Sequence, residues 1–238
     1  MPYTVDVLFR GFPAMLGLGT LALIRDGQHN ILFDTGNGVI RPQIKGMLAE
    51  HGLDFEAIDM IILSHLHWDH TFNYDFFPRA KYVVSKREWD SANDLVNRDI
   101  FVGEAIIPFL RTAKLRLIET DGEEILPGMK AIFTPGHTLG CMSVLLEQDG
   151  ERWMLTGDAV KTRGELRTGC GGMSVNAQTT RETIEKIKAM ADRILPGHDS
   201  WLAIRDGDVF PEENELVLRF SEGVMANGGQ DQITIRLD

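Results

Sequence analysis

His65-Leu66-His67-Trp68-Asp69-His70 gathers three histidines and one aspartate into six residues, directly after the apolar run at 58–64, IDMIILS. A nearly continuous apolar run of that length reads as a strand buried on both faces. The polar cluster therefore stands where a core strand ends and the chain turns. Imidazole nitrogens and carboxylate oxygens are good ligands for zinc and similar divalent ions. His65 and His67, two apart in an extended turn, point to the same side. Asp69 and His70 follow where the chain bends and can address a second ion, about 3.5–4 Å away in sites of this kind.

Four ligands leave two ions undercoordinated, and three further segments can supply the rest. Thr134-Pro135-Gly136-His137, Thr156-Gly157-Asp158 and Leu195-Pro196-Gly197-His198 each follow a short apolar stretch. In each, a glycine beside the ligand lets backbone approach a crowded centre. Any one of them alone is weak; with the cluster they form a constellation.

The surrounding pattern mixes strands and helices. Residues 4–10, 20–25 and 29–34 read as strands, the last two as a hairpin turned at Asp26-Gly27. Residues 41–51 carry Ile44, Met47 and Leu48 at helical spacing. Strands are expected at 81–85, 130–134, 142–147, 152–156 and 193–195, and a short helix broken by Pro108 at 104–112. Thr179-Thr180-Arg181-Glu182 has the form of a capping box opening a helix that runs to Met190. Strands and helices recur in both halves with no linker between them. The expected architecture is α+β, with two sheets packed face to face and helices outside. One domain over 1–238 is expected.

Composition narrows the function. The chain has 238 residues, 24 basic and 35 acidic, for a net charge of −11. That balance speaks against long nucleic acids and anionic membrane surfaces as partners. A small-molecule substrate is expected, with a homodimer allowed for. Two cysteines, Cys141 and Cys170, make no disulfide framework. With no basic-then-apolar leader pattern, the expected setting is the cytoplasm.

Asp34-Thr35-Gly36, the His65–His70 cluster, Gly136-His137, Gly157-Asp158 and Gly197-His198 occur in the order seen in the metallo-β-lactamase-fold hydrolases, and the chain resembles that superfamily over residues 4–199. The resemblance implies an αββα sandwich with a binuclear site on one edge. It implies His65, His67 and His137 on a first ion, Asp69, His70 and His198 on a second, and Asp158 bridging both. Asp69 and Asp158 are thus the candidate catalytic carboxylates, and Asp34 would orient ligands from behind. Two divalent ions are implied, zinc first, with iron and manganese as alternatives. The implied reaction is hydrolysis by a hydroxide formed from water between the ions, whose acidity the metals raise towards neutral pH.

Within the superfamily, the true β-lactamases are exported, and their best-known classes carry a Cys where this chain has Asp158. Glyoxalase II enzymes add a helical C-terminal domain, whereas 40 residues follow His198 here. The flavin-linked members and the nucleases need further domains. The single-domain lactonases are similar in their Gly-Asp-Ala and Gly-His-Asp segments, at 157–159 and 197–199. They carry a Tyr three residues after the bridging Asp, where this chain has Lys161. An ester-type bond is the expected target, a lactone first. The alternatives are a one-iron persulfide dioxygenase, similar in the segment 134–141, and a small phosphodiester hydrolase. Lys161, Arg163 and Trp68 are the candidate substrate contacts, with Arg167 beside them. The glycine-rich stretches at 11–19 and 161–177 are expected to be loops over the site.

Overall fold

β1 (Thr4–Phe9), β2 (Leu21–Arg25) and β3 (Asn30–Phe33) run antiparallel, and the β2–β3 turn is closed by Asp26, whose Oδ1 accepts the amides of Gln28 at 2.8 Å and His29 at 2.7 Å. α1 (Ile44–Glu50) then crosses to β4 (Met60–Ile62), which lies parallel to β3. After α2 (Trp68–Thr71) comes β5 (Lys81–Ser85), followed by α3 (Lys86–Ala92), α4 (Ile106–Leu110) and β6 (Lys114–Ile118). β5 and β6 extend the parallel half, giving the order β1-β2-β3-β4-β5-β6. The computed structural model describes residues 2–12, 17–94, 99–148, 150–219 and 232–236.

The second sheet begins with β7 (Glu124–Leu126), β8 (Met129–Phe133), β9 (Met142–Gln148) and β10 (Glu151–Gly157). α5 (Arg163–Thr168) and α6 (Ala177–Met190) lead to β11 (Arg193–Pro196), parallel to β10. β12 (Leu202–Arg205) and β13 (Asp208–Pro211) complete the order β13-β12-β11-β10-β9-β8-β7. β14 (Glu215–Arg219) and β15 (Gln232–Arg236) pair as a separate ribbon.

Alternation along each strand explains the layers. Ala22, Ile24, Phe33, Met60 and Ile62 face Met129, Val144, Leu155 and Leu195 in a core between the two sheets. Leu21, Leu23, Ile61 and Leu63 face the other way, against Ile44 and Leu48 of α1 and Ile106 and Leu110 of α4. Met154 and Ile194 likewise meet Ile184 and Ile187 of α6. Each sheet is apolar on both faces, so its strands read as runs and not as alternations. The result is the αββα sandwich.

Three local expectations need correction. The segment around Pro108 is not broken: Pro108 is the third residue of α4, in the first turn, where an amide has no intrahelical acceptor to lose. The cap of α6 is Asn176, three residues before the expected Thr179; its Oδ1 accepts the Thr179 amide at 2.9 Å. The stretch 161–177 is not all loop, because Thr162 caps the helix α5 within it. β4 is also shorter than the apolar run that announces it, spanning Met60–Ile62, and β6, β7 and β12 to β15 form where no strand is expected.

Candidate active site

The candidate ligands gather on one rim shared by both sheets, several of them just past the end of a strand. Asp34 follows β3, His65 follows β4, and Asp158 follows β10, while Gly197 and His198 follow β11. His67 is the N-cap of α2, Asp69 and His70 lie within that helix, and His137 comes from the loop between β8 and β9. All seven ligands and Asp34 are buried.

The rim brings these side chains together in three overlapping groups: His65, His67 and His137; His65, His70 and Asp158; and Asp69, His70 and His198. Within each group the ligand atoms lie within 4.8 Å of one another. Asp158 spans them. Its Oδ1 is 3.1 Å from Nε2 of both His70 and His198, and its Oδ2 is 3.3 Å from His137 Nε2. Asp69 Oδ2 stands 3.6 Å from His198 Nε2 and 3.7 Å from His70 Nε2.

Histidine has two ring nitrogens, and the partner of one decides what the other can do. His70 Nδ1 meets Asp34 Oδ2 at 2.7 Å, and His137 Nδ1 meets the Met173 carbonyl at 2.8 Å. His198 Nδ1 meets the Leu18 carbonyl at 3.0 Å, and His65 Nδ1 meets Ser64 Oγ at 2.9 Å. Each acceptor fixes the proton on the outer nitrogen and leaves the inner lone pair facing the centre. Asp34 anchors this shell: it also accepts the Ser64 amide at 2.7 Å and the Ser64 hydroxyl at 2.8 Å. It does so with φ 61, a conformation Asp tolerates and most residues do not.

The inner atoms are left wanting. His65 Nε2, His70 Nε2 and Asp158 Oδ1 are buried without a hydrogen-bond partner. The contact between His70 and Asp158 is close enough for an ion pair yet lacks hydrogen-bond geometry. Buried orphans of this kind are costly unless something else satisfies them. A set of imidazole and carboxylate donors converging on one point fits divalent ions.

The electrostatics divide the rim. Burial, reinforced by the charges of His70 and His67, pushes His65 well below the ordinary histidine range. Burial also takes His137 down to about 4, with Asp158 opposing and the Lys161 ammonium adding to the shift. Those two rings are neutral and ready to ligate at neutral pH. For His70, burial is outweighed by Asp158, Asp69 and Asp34, which raise it well above the ordinary range. His198 is raised in the same way, burial yielding to Asp158. Burial would raise Asp158, but His198, His70 and His137 hold it well below the carboxylate range.

Some supporting residues escaped the sequence reading. Glu88, in the first turn of α3, accepts the Leu66 amide at 3.0 Å, the Thr138 hydroxyl at 2.6 Å and the Gly140 amide at 3.1 Å. It ties the loop carrying His137 to the turn carrying His65 and His67. Ser85-x-x-Glu88 has the capping-box spacing and would have marked α3, since Ser85 Oγ accepts the Glu88 amide at 3.0 Å. Asp99 meets His67 Nε2 at 2.9 Å, from a segment that carries no motif.

The expected substrate contacts separate. Lys161 has a buried Nζ, 3.1 Å from Glu165 Oε1 but outside hydrogen-bond geometry, and its charge is felt by His137. Glu165 also accepts the Lys161 amide at 2.8 Å and the Gly172 amide at 2.9 Å. Arg163 is instead engaged by Asp199, with Nη2–Oδ1 at 2.6 Å and Nε–Oδ2 at 2.9 Å, and by the Glu213 carbonyl at 2.9 Å. That pairing braces α5 against the residue after His198. Arg163 and Arg167 also line a cleft of about 370 Å³ that reaches His198. Trp68 lines a different cleft, of about 430 Å³, with Phe72, Tyr74 and Ile106. None of the candidate ligands lines that cleft.

Of the expected lid at 11–19, residues 13–16 lie outside the described residues. Its two ends bridge at Phe12 and Leu18, and the Gly17 carbonyl accepts Asn37 Nδ2 at 2.8 Å. Cys141 is buried, with Thr138 Oγ1 3.1 Å from its sulfur, and Cys170 is exposed; both are free thiols.

The model of the metallo-beta-lactamase superfamily matches residues 16–198. The chain belongs to that superfamily. An N-acyl homoserine lactonase of Bacillus thuringiensis is 27% identical over 162 residues, covering 66% of this chain and 62% of the relative. The N-acyl homoserine lactonase AttM of Rhizobium johnstonii is 29% identical over 163 residues, covering 62% and 60%. The chain thus matches somewhat less than two thirds of the length of these relatives. The superfamily fold is also shared with a crystal structure of an AiiA variant from B. thuringiensis with N-decanoyl-L-homoserine bound at its active site. That likeness has a TM-score of 0.68 at 22% identity, over 84% of this chain and 94% of the other. No helix among the described residues is long and apolar enough to cross a membrane.

Proposed function

We propose that the protein is a binuclear-metal hydrolase that opens an ester-type bond, a lactone first, with N-acyl homoserine lactones as the leading substrates. The observation that carries this reading is Asp158. One carboxylate faces His70 and His198 through Oδ1 and His137 through Oδ2, amid orphaned inner nitrogens. His65, His67 and His137 would hold one ion; Asp69, His70 and His198 would hold the other; Asp158 would serve both. Zinc suits this nitrogen and oxygen set, with iron or manganese as alternatives. Bound there, such ions supply an acidified water and a Lewis acid for the carbonyl. The kinship with lactonases in sequence supports the choice of bond. With its free thiols, the protein is read as cytoplasmic.

The chain's own residues do the rest. Asp34, Ser64 and the carbonyls of Leu18 and Met173 keep four imidazoles in one tautomer, so little is left to reorganise when substrate arrives. Lys161, whose charge is felt by His137 and whose Nζ lacks a hydrogen-bond partner, would donate to the oxygen of a substrate carbonyl or carboxylate. Arg163, committed to Asp199, is left to brace His198 and is removed from the substrate contacts.

The test is metal analysis joined to a panel of lactone, thioester, phosphodiester and β-lactam substrates. Two zinc-like ions per chain and fastest turnover of a lactone are expected. One iron with oxygen uptake on a persulfide would replace the reading with sulfur oxidation, and preference for a phosphodiester would replace the bond.

Lys161→Ala should leave metal content and melting temperature unchanged. Its kcat/KM should fall about ten- to a hundred-fold, the scale of one charge-assisted hydrogen bond. Loss confined to KM would make Lys161 a binding group; an equal fall in kcat places it in the transition state. Wild-type kinetics on the best substrate would return it to a wall residue.

A further inference from the structure

We propose that Asp99 is the positioning carboxylate for His67 and thereby sets the metal affinity of the His65–His67–His137 half of the site. The proposal rests on the reading that those three histidines hold an ion. His67 differs from the other rings in which nitrogen it turns inward. Its Nδ1 faces the centre, 3.0 Å from His137 Nε2, and its Nε2 points out to Asp99 Oδ2 at 2.9 Å. A carboxylate there accepts the Nε2 proton, which leaves the Nδ1 lone pair for a metal.

Asp99 is itself held. Its Oδ1 accepts the Phe101 amide at 2.9 Å and its carbonyl accepts the Val102 amide at 3.2 Å. The Phe101 carbonyl in turn accepts the Trp68 amide at 2.9 Å, and Val102 bridges to His67. Residues 99–102 therefore form a small turn clipped directly onto the ligand-bearing backbone. The Phe101 ring lies 5.4 Å from the His67 ring and covers it. The two halves of the rim are braced unequally. The Asp34 side chain behind His70 is 1% exposed, within the core, whereas that of Asp99 behind His67 is 29% exposed, on a surface segment. Of the two halves, the first is thus the one whose support reaches the solvent.

The experiment uses the metal-free protein, titrated with Zn²⁺ against a chromophoric chelator. His198→Ala is introduced first, to disable the other half and leave one ion to bind. In that background Asp99→Asn should weaken Zn²⁺ binding about 10- to 100-fold, the usual effect of losing such a partner. Asp99→Glu should restore part of it. Asparagine keeps an oxygen for the Phe101 amide, so the metal-free melting temperature should not move. The ¹⁵N shifts of His67 should report loss of the Nε2-protonated tautomer. Unchanged affinity in Asp99→Asn overturns the proposal, and so does a loss of affinity that merely tracks a lower melting temperature. His67→Ala in the same background tests the underlying reading separately. If it binds Zn²⁺ as tightly as its parent, the ligand assignment fails whatever Asp99 does.

Discussion

Asp158→Ala is expected to strip the protein of both ions and to lower kcat/KM by roughly 10³-fold, the scale of removing a whole charge-stabilising element from a buried centre. Asp158 reaches histidines on both sides through its two oxygens, His70 and His198 with Oδ1 and His137 with Oδ2. Removing it leaves His70 and His198 without the carboxylate that most raises them, and leaves neither ion its shared oxygen. The fold should persist, because the core between the sheets and the helix-facing layers do not pass through this side chain. The measurements are metal content by mass spectrometry, circular dichroism and steady-state kinetics, with His198→Ala beside it. The histidine variant should lose one ion where the aspartate variant loses both. Full occupancy in Asp158→Ala would take the residue out of the bridge.

Gly197→Ala should be nearly as damaging, for reasons of space alone. Gly197 is threaded between two segments. Its amide donates to the carbonyls of Gly157 at 2.9 Å and Val160 at 3.0 Å, and its own carbonyl accepts the Thr20 amide at 2.8 Å. A methyl group there would collide with Asp158 Oδ1 and would sit 2.9 Å from the Gly157 carbonyl carbon and oxygen. A backbone carbonyl cannot rotate away as a flexible side chain can. Overpacking of this kind costs about 1–3 kcal/mol, which for a chain of this size lowers the melting temperature by roughly 2–12 °C. Because the neighbour pushed aside is Asp158, metal content should fall as well. Gly46→Ala, with nothing within 4 Å of the new methyl, is the control and should be neutral or slightly stabilising. Equal melting temperatures and metal content in the two variants would show that the rim has slack the structure does not display.

The parts of this protein that could be read from sequence are those written in local pattern. The His65–His70 cluster, the apolar run before it and the glycine-flanked histidines announce themselves by spacing. The sandwich follows from strands apolar on both faces. Harder to see were residues whose partners are distant in the chain. Glu88 acts on Leu66 and on Gly140, 22 and 52 positions away, and Asp99 acts on His67 across 32 positions. Neither carries a signature, because a carboxylate at one end of a long contact resembles any surface acid. Arg163 shows the same limit: its pairing with Asp199, 36 residues on, has no local signature. The cap of α6 fell to Asn176 because an asparagine three residues ahead of Thr179 offers the same hydrogen bond from a better start.

The path of the chain on either side of the rim repeats itself. A hairpin, β2–β3, leads through α1 to β4, parallel to β3; another hairpin, β9–β10, leads through α6 to β11, parallel to β10. An aspartate follows the second strand of each hairpin, Asp34 in one and Asp158 in the other. A histidine follows each crossover strand, His65 and then His198. Even the left-handed backbone recurs, at Asp34 with φ 61 and at Gly157 with φ 50. The molecule in this sense runs one half-length path twice, with the rim of histidines and aspartates where the two copies meet. Neither copy holds a complete site, but two of them facing each other already bring a pair of aspartates and a pair of histidines to one edge. The two equivalent aspartates differ in what they touch: Asp34 backs His70 and Ser64 from behind, while Asp158 faces His70, His198 and His137 at the centre.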